Sequence, residues 1–212
     1  MSETPGETAG LLVTLEGGDG SGKSTQLAAL AALAALARTG GHAVVSCREP
    51  GGTPLGERLR DALFASEEAP SAEAELLVFA AARAQLVREV IRPALGRGAL
   101  VLCDRFADST VAYQQYGRGL DAAAVEAVNA ATTGGLKPDL TLLLDISPET
   151  TLSRSDAGAN YMERQDPEFH RRVRDGYLAL ARLEPKRWLV LDASRPAEDL
   201  TAVIWARLQP LL

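Results

Sequence analysis

Five short apolar runs punctuate the chain: Leu11–Leu15, Ala43–Cys47, Ala99–Cys103, Leu140–Ile146 and Trp188–Leu191. None alternates cleanly between apolar and polar positions, the pattern of strands covered by helices on both faces. Stretches of helical periodicity lie around them: Ser24–Arg38, Ala72–Leu95, Asp121–Thr133, Pro148–Ser153, Pro167–Leu183 and Ala197–Leu208. The first is rich in Ala and Leu and runs into Thr39-Gly40-Gly41, a stop signal. This alternation of strand and helix predicts a parallel sheet with right-handed crossovers. One doubly wound α/β domain is expected over residues 1–212. Its ligands should lie beyond the carboxyl ends of the strands.

Composition narrows the picture without changing it. With 212 residues, 46% hydrophobic and 24% charged, the chain can bury a good core. No apolar stretch is long enough to span a membrane. Residues 1–9 carry neither a basic nor an apolar leader segment, so they read as a flexible tail and the cytoplasm is the expected location. A net charge of −6 argues against a general nucleic-acid binder, which needs a basic face. Cys47 and Cys103 each end an apolar run, and both are expected to be buried, reduced thiols. His42 and His170 read as surface residues.

The segment between the first strand and the first helix carries the strongest signal. Gly17-Gly18-Asp19-Gly20-Ser21-Gly22-Lys23-Ser24-Thr25 contains the pattern G-x-x-x-x-G-K-[ST] in the strand–loop–helix setting that this motif requires. Its glycines let successive N–H groups converge on one anion, and the helix start adds positive potential. Lys23 should reach the outer phosphates of a nucleotide, and the Ser24 hydroxyl should help hold Mg²⁺. The chain has 19 Arg and 3 Lys, and Lys23 is the only Lys before Lys137. A compact ammonium suits a phosphate cradle that a planar guanidinium would crowd.

The other strand-end loops are also polar. Arg48-Glu49-Pro50-Gly51-Gly52-Thr53 can present a guanidinium and free N–H groups to an anion, although a surface turn with a solvated Arg fits as well. In Asp104-Arg105-Phe106 an acid ends a strand beside the phosphate loop, where a carboxylate acts on Mg²⁺ through water. Phe79 and Arg83 share a helix face, as a plate and a donor for a flat base or simply as core and surface.

Taken together these loops resemble the bacterial type of the thymidylate kinase family. The resemblance covers nearly the whole chain. It rests on Glu16 to Thr25, Arg48 to Thr53, Phe79-Ala80-Ala81-Ala82-Arg83, Asp104-Arg105-Phe106, Ser109-Thr110-Val111-Ala112-Tyr113-Gln114 and Glu163-Arg164-Gln165-Asp166. It implies a P-loop NTPase fold of nucleoside monophosphate kinase type: a five-stranded parallel sheet with helices on both faces. It also implies ATP-dependent phosphorylation of dTMP to dTDP, with Mg²⁺ at Ser24 and Asp104, and a homodimer. Arg48 and Arg105 would hold the acceptor phosphate. Phe79 would stack on thymine, and Arg83 would donate to its O4. Thr110 and Gln114 would contact the base region, Ser109 would belong to the same substrate site, and Tyr113 would pack under the deoxyribose. Asp19 would meet the sugar 3′-hydroxyl or the acceptor side of the phosphates.

In this family a basic residue that closes over the reacting phosphates sits either in the phosphate loop or in a lid. The position after Asp19 is Gly20, so the lid expected over 153–166 should supply it, from Arg154 or, preferably, Arg164. The small and polar residues of this stretch suit a loop that opens and closes. Arg171, Arg172 and Arg174 read as a solvated helix face. Competing readings are a kinase of another nucleoside monophosphate or of a deoxynucleoside. A GTP-dependent switch lacks its Asn-Lys-x-Asp signature.

Overall fold

The computed structural model describes residues 10–36, 43–65, 68–150 and 160–212. The expected tail at 1–9, His42, Arg154 and residues 153–159 of the expected lid lie outside the described residues.

The five apolar runs are strands: β1 (Leu11–Glu16), β2 (Val44–Arg48), β3 (Leu100–Asp104), β4 (Leu140–Asp145) and β5 (Trp188–Asp192). All their pairings are parallel, in the order β2-β3-β1-β4-β5. Leu11 stands beside Leu100, Val13 beside Leu140 and Cys47 beside Cys103. This register brings the carboxyl ends of β1, β2 and β3 to one edge, where the three polar loops emerge.

Helices seal both faces, as runs without alternation require. Leu30 of α1 (Lys23–Leu36) and Ile204 and Leu208 of α7 (Ala197–Leu208) pack on Val13, Leu102 and Leu142. On the other face Leu86, Val87 and Ile91 cover Leu12, Val101 and Cys103. They belong to α3 (Ala72–Leu86), which continues through a π-helical stretch (Val87–Ile91) into a last turn, Arg92–Leu95. The expected helix over 72–95 is therefore one rod with a bulge. α5 (Ala122–Thr133) stops at Gly134, whose φ of 59° is the left-handed cap that glycine takes at least cost. α6 (Pro167–Leu183) starts as predicted, with Pro167 in its first turn and the Asp166 carboxylate accepting from the Phe169 N–H at 2.7 Å.

Two helices were not expected. α2 (Pro54–Phe64) follows the Gly51-Gly52 turn and is capped by Thr53, whose hydroxyl accepts from the Gly56 N–H at 3.0 Å. α4 (Ala107–Thr110) runs directly into a π-helical stretch, Val111–Gly117. A helix wound at π pitch shifts its apolar spacing away from 3.6, so periodicity reads it as loop.

Two expectations about α6, at His170 and Arg174, are corrected. His170 is buried, at 8% exposure, because it sits one turn into the helix on the face turned to the sheet. Arg172 donates to the Gly117 carbonyl, and Arg174 makes a two-pronged pair with Asp145 at 2.6 and 2.8 Å. Arg171 and Arg172 are exposed, as expected of a solvated face, and Arg174 is the partly buried exception. Both cysteines are free thiols, Cys103 fully buried and Cys47 partly so.

Candidate active site

The loop after β1 has the backbone its sequence demands. Gly17, Gly20 and Gly22 take φ values of 134°, 70° and 93°. A side chain at Gly17 would also put its Cβ 2.5 Å from the Leu144 carbonyl oxygen. The Lys23 ammonium lies inside this curl and donates to the carbonyls of Gly17 (3.1 Å) and Gly18 (2.7 Å). Burial, followed by repulsion from Arg105, lowers its pKa to about 8.

Ser24 stands at the start of α1 and Asp104 at the end of β3, so the register of β1 on β3 sets them side by side. The Ser24 hydroxyl donates to Asp104 Oδ2 at 3.3 Å. Asp104 Oδ1 and Ser21 Oγ are buried and have no hydrogen-bond partner among the described residues. A carboxylate oxygen and two hydroxyls, beside a loop shaped for phosphate, are the hard donors that Mg²⁺ selects. The residues fit a Mg²⁺–nucleotide complex.

Next to the loop, Arg105 has a φ of 69°, in the left-handed region that residues with a side chain seldom enter. Its backbone N–H donates to the Leu15 carbonyl at 3.0 Å, which holds this turn against the end of β1. The turned backbone aims the guanidinium back across the site. There it donates to Asp19 Oδ1 (2.6 Å), the Gly17 carbonyl (3.0 Å) and the Tyr177 hydroxyl (3.2 Å). Its Cζ lies 5.0 Å from the centre of the Tyr113 ring, a cation–π contact. Burial alone would raise the pKa of Asp19, but Arg105 and Lys23 outweigh it and hold this carboxyl below its ordinary value.

Behind Arg105 lies a fully buried carboxyl, Glu16. It accepts from the Phe106 N–H (2.9 Å), the Ser109 hydroxyl (2.6 Å) and the Tyr177 hydroxyl (3.0 Å). Burial, then repulsion from Asp108, raises its pKa to about 8. The same two hydroxyls face Arg105, so Glu16 reaches the guanidinium through them.

A cleft opens from Asp19 and Arg105 toward α3. Phe79 and Tyr113 give it aromatic surface, and Arg83, Thr110 and Gln114 form its polar end. Arg83 is almost fully buried and donates to Glu49 (2.7 Å), Asn129 (2.8 Å), the Phe106 carbonyl (3.2 Å) and Thr110 (2.8 Å). These four bonds leave one of its five N–H groups for the cleft. Gln114 is fixed by Glu75 at 2.8 Å, and the same Glu75 is paired with Arg118 at 2.9 Å.

A family model described as thymidylate kinase matches residues 15–204. The chain belongs to the thymidylate kinase family. It is 52% identical over 199 residues to the thymidylate kinase of Deinococcus radiodurans, a match spanning 93% of this chain and 95% of that one. To the thymidylate kinase of a Synechococcus strain it is 50% identical over 202 residues, spanning 95% and 97% of the two chains. The crystal structure of thymidylate kinase from Ehrlichia chaffeensis has the same fold, with a TM-score of 0.78 at 34% identity, covering 97% of this chain and all of that one.

The thymidylate kinase fold brings most of the expected site residues together. Asp19, Phe79, Arg83, Arg105, Ser109, Thr110, Tyr113 and Gln114 line one cleft, and Lys23, Ser24 and Asp104 adjoin it through the phosphate loop. Arg48 is not among the lining residues; its side chain is 54% exposed and paired with Glu57 at 2.8 Å. The cleft is lined on that side by Arg60, on the unexpected α2, with its Cζ 5.0 Å from the Phe64 ring centre. Arg164 is exposed, and its neighbours Asn160, Met162 and Glu163 line the cleft instead.

Glu16, Glu49, Arg60 and Tyr177 were missed by sequence reasoning. For Arg60 the signal was there: Thr53 followed by Pro54 is a helix start that places Arg60 two turns on. Tyr177 lies 161 residues from Glu16, and no local pattern announces it.

Proposed function

We infer that the chain transfers the γ-phosphoryl group of ATP to dTMP, releasing ADP and dTDP. The observation that carries this reading is the junction at Asp19 and Arg105, where a phosphate loop meets a second cleft with aromatic walls. A donor nucleotide and an acceptor nucleotide can meet there end to end. An oxygen of the acceptor phosphate forms the new P–O bond, and the bond from the γ-phosphorus to the ADP oxygen breaks. Near neutral pH the acceptor phosphate is largely dianionic, since its second pKa is about 6, so no side chain has to remove a proton. Positioning and charge neutralisation then supply the rate enhancement.

In this reading the N–H groups of Gly17 to Thr25 and the Lys23 ammonium hold the donor phosphates. Ser24 and Asp104 would hold Mg²⁺, which would supply positive charge at the donor phosphates. Arg105 holds the acceptor phosphate between Asp19 and the phosphate loop, and Arg60 faces the same cleft where Arg48 was expected. Phe79 stacks on the base, the remaining Arg83 N–H donates to its O4, and Tyr113 packs under the sugar. Ser109, Thr110 and Gln114 complete the wall.

An ADP-release assay with ATP and a panel of acceptors tests the assignment. dTMP is expected to be the best acceptor and dCMP to fail, because its exocyclic amine meets the Arg83 donor. dUMP is expected to be intermediate, one missing methyl being worth about 1–3 kcal/mol. Equal rates with dCMP and dTMP would overturn the recognition of thymine.

Residues 153–166 are proposed as a lid, and Arg164 as the arginine that completes the transition-state clamp on closure, with Arg154 the alternative. Arg164→Ala is expected to lower turnover by about 10³-fold. Turnover within a few-fold of the parent would remove Arg164 from the chemistry.

We also propose a homodimer. Ala74, Leu77 and Ala81 lie along the outer face of α3, with Leu77 58% exposed, and Ala123, Ala127 and Ala130 along that of α5. Small and apolar residues there suit close helix packing between two copies. Leu77→Glu should shift the mass measured by sedimentation from dimer to monomer; an unchanged mass would move the interface elsewhere. Among the described residues no helix is long and apolar enough to cross a membrane. A cytoplasmic setting is part of the proposal and rests on the substrates, charged nucleotides that do not cross membranes unaided.

A further inference from the structure

Cys47 and Cys103 are the last apolar residues of β2 and β3, and they are direct partners in the parallel register of those strands. Register partners project to the same face of a sheet, and neighbouring strands run about 4.8 Å apart. A disulfide accepts Cα separations of about 4.4–6.8 Å, so the backbone already lies in its range. Both side chains belong to the same apolar cluster under α3. Cys47 is on the edge strand and partly exposed, whereas Cys103 is fully buried behind it.

Each cysteine sits just before a loop of the acceptor site. After Cys47 come Arg48 and Glu49, and Glu49 fixes Arg83. After Cys103 come Asp104 and Arg105. The Cys103 thiol donates to the Arg105 carbonyl at 3.0 Å, across the left-handed turn that aims the guanidinium.

We propose that Cys47 and Cys103 form a reversible disulfide with a low-molecular-weight disulfide as oxidant, and that this bond weakens the acceptor site. Oxidised glutathione serves as the example. The partly exposed Cys47 sulfur, having released its proton to water, attacks one glutathione sulfur; a mixed disulfide forms and one glutathione thiolate leaves. The Cys103 sulfur then attacks the Cys47 sulfur and displaces the second glutathione. Its proton goes to that leaving thiolate. The two cysteines lose two electrons and two protons, and one glutathione disulfide becomes two thiols.

Two consequences follow from the geometry. The proton that Cys103 shared with the Arg105 carbonyl is gone, so the turn loses a support. Closing the bond also draws the two Cβ atoms to about 3.8 Å, nearer than strands in register stand, which strains the bond and favours its reduction. The bond therefore forms only in an oxidising buffer and reverses readily.

The test equilibrates the full chain in glutathione buffers from reducing to oxidising, then measures intact mass, free thiols and peptide linkage. Alongside these, the dTMP concentration dependence of ADP release is recorded. The expected product is lighter by two hydrogens, has lost both thiols together and yields a Cys47–Cys103 linked peptide. Its KM for dTMP should rise about tenfold and return to the parent value with dithiothreitol. Cys47→Ser and Cys103→Ser should resist both changes.

Only a mixed disulfide on Cys47, or two free thiols in the most oxidising buffer, overturns the bond. A linked product with unchanged KM overturns its effect on the site. The kinetic arm rests on the dTMP kinase reading and the thiol arm does not. A reduced chain that never uses dTMP refutes that reading alone.

Discussion

Replacing Arg105 with alanine is expected to lower kcat/KM for dTMP by about 10³-fold or more, the scale at which arginines act on transferring phosphoryl groups. Two losses add. The acceptor phosphate loses a cation held by a fixed backbone turn, and Asp19 loses the partner that neutralises it at 2.6 Å. An unpaired carboxylate then faces a dianionic substrate. Lysine should restore little, because a single ammonium cannot reach Asp19, Gly17 and Tyr177 as the forked guanidinium does. Steady-state kinetics with dTMP, together with a titration of ATP binding, checks the assignment. The donor loop keeps Lys23 and its own backbone N–H groups, so ATP should still bind. Loss of kcat/KM by less than about tenfold would leave Arg105 a structural residue.

The same contrast between local and distant partners explains what the sequence made legible. The strands were visible because a buried parallel sheet leaves continuous apolar runs, and each observed strand ends within one residue of its run. The phosphate loop was visible because its glycines, lysine and serine act within a few residues of one another. Helix faces were visible where the turn is 3.6 residues: Phe79 and Arg83 do line one cleft. What stayed hidden depends on contacts across the fold. Arg83 reads as a free donor in sequence, yet Glu49, Asn129, Phe106 and Thr110 take four of its five N–H groups. Arg48 was expected at the acceptor phosphate, but its pairing with Glu57 depends on α2, a helix the sequence reading did not include. Glu16 was read only as the first residue of the motif run that leads into the phosphate loop, since burial is a property of the folded chain.

Glu16 carries the second large expected effect, and the choice of substituent separates its two roles. Alanine removes the acceptor for the Phe106 N–H and the hydroxyls of Ser109 and Tyr177, all in a buried site. A buried donor left without a partner costs about 1–3 kcal/mol, so Glu16→Ala should lose several kcal/mol. For a chain of this size that lowers Tm by on the order of 10 °C. Dislodged hydroxyls also release Arg105, so activity should fall below what the lost stability explains.

Glutamine should behave otherwise. The Glu16 carboxyl, raised to about 8 by burial and then by the like charge of Asp108, against the opposing pull of Arg105, is neutral below that pH. An amide keeps the shape and stays neutral. Because the folded pKa lies above the ordinary 4.5, the folded chain holds a proton that the unfolded chain releases between those values. The stability this proton contributes is fully present below 4.5 and is lost as pH rises through about 8. Glu16→Gln has no such proton to lose. Its Tm should therefore gain on the parent from acid to mildly alkaline buffer, with kcat/KM near the parent value at neutral pH. Thermal unfolding of both proteins across that range decides it. Parallel Tm curves would mean that Glu16 is ionised in the folded chain and holds Arg105 by charge rather than through neutral hydrogen bonds.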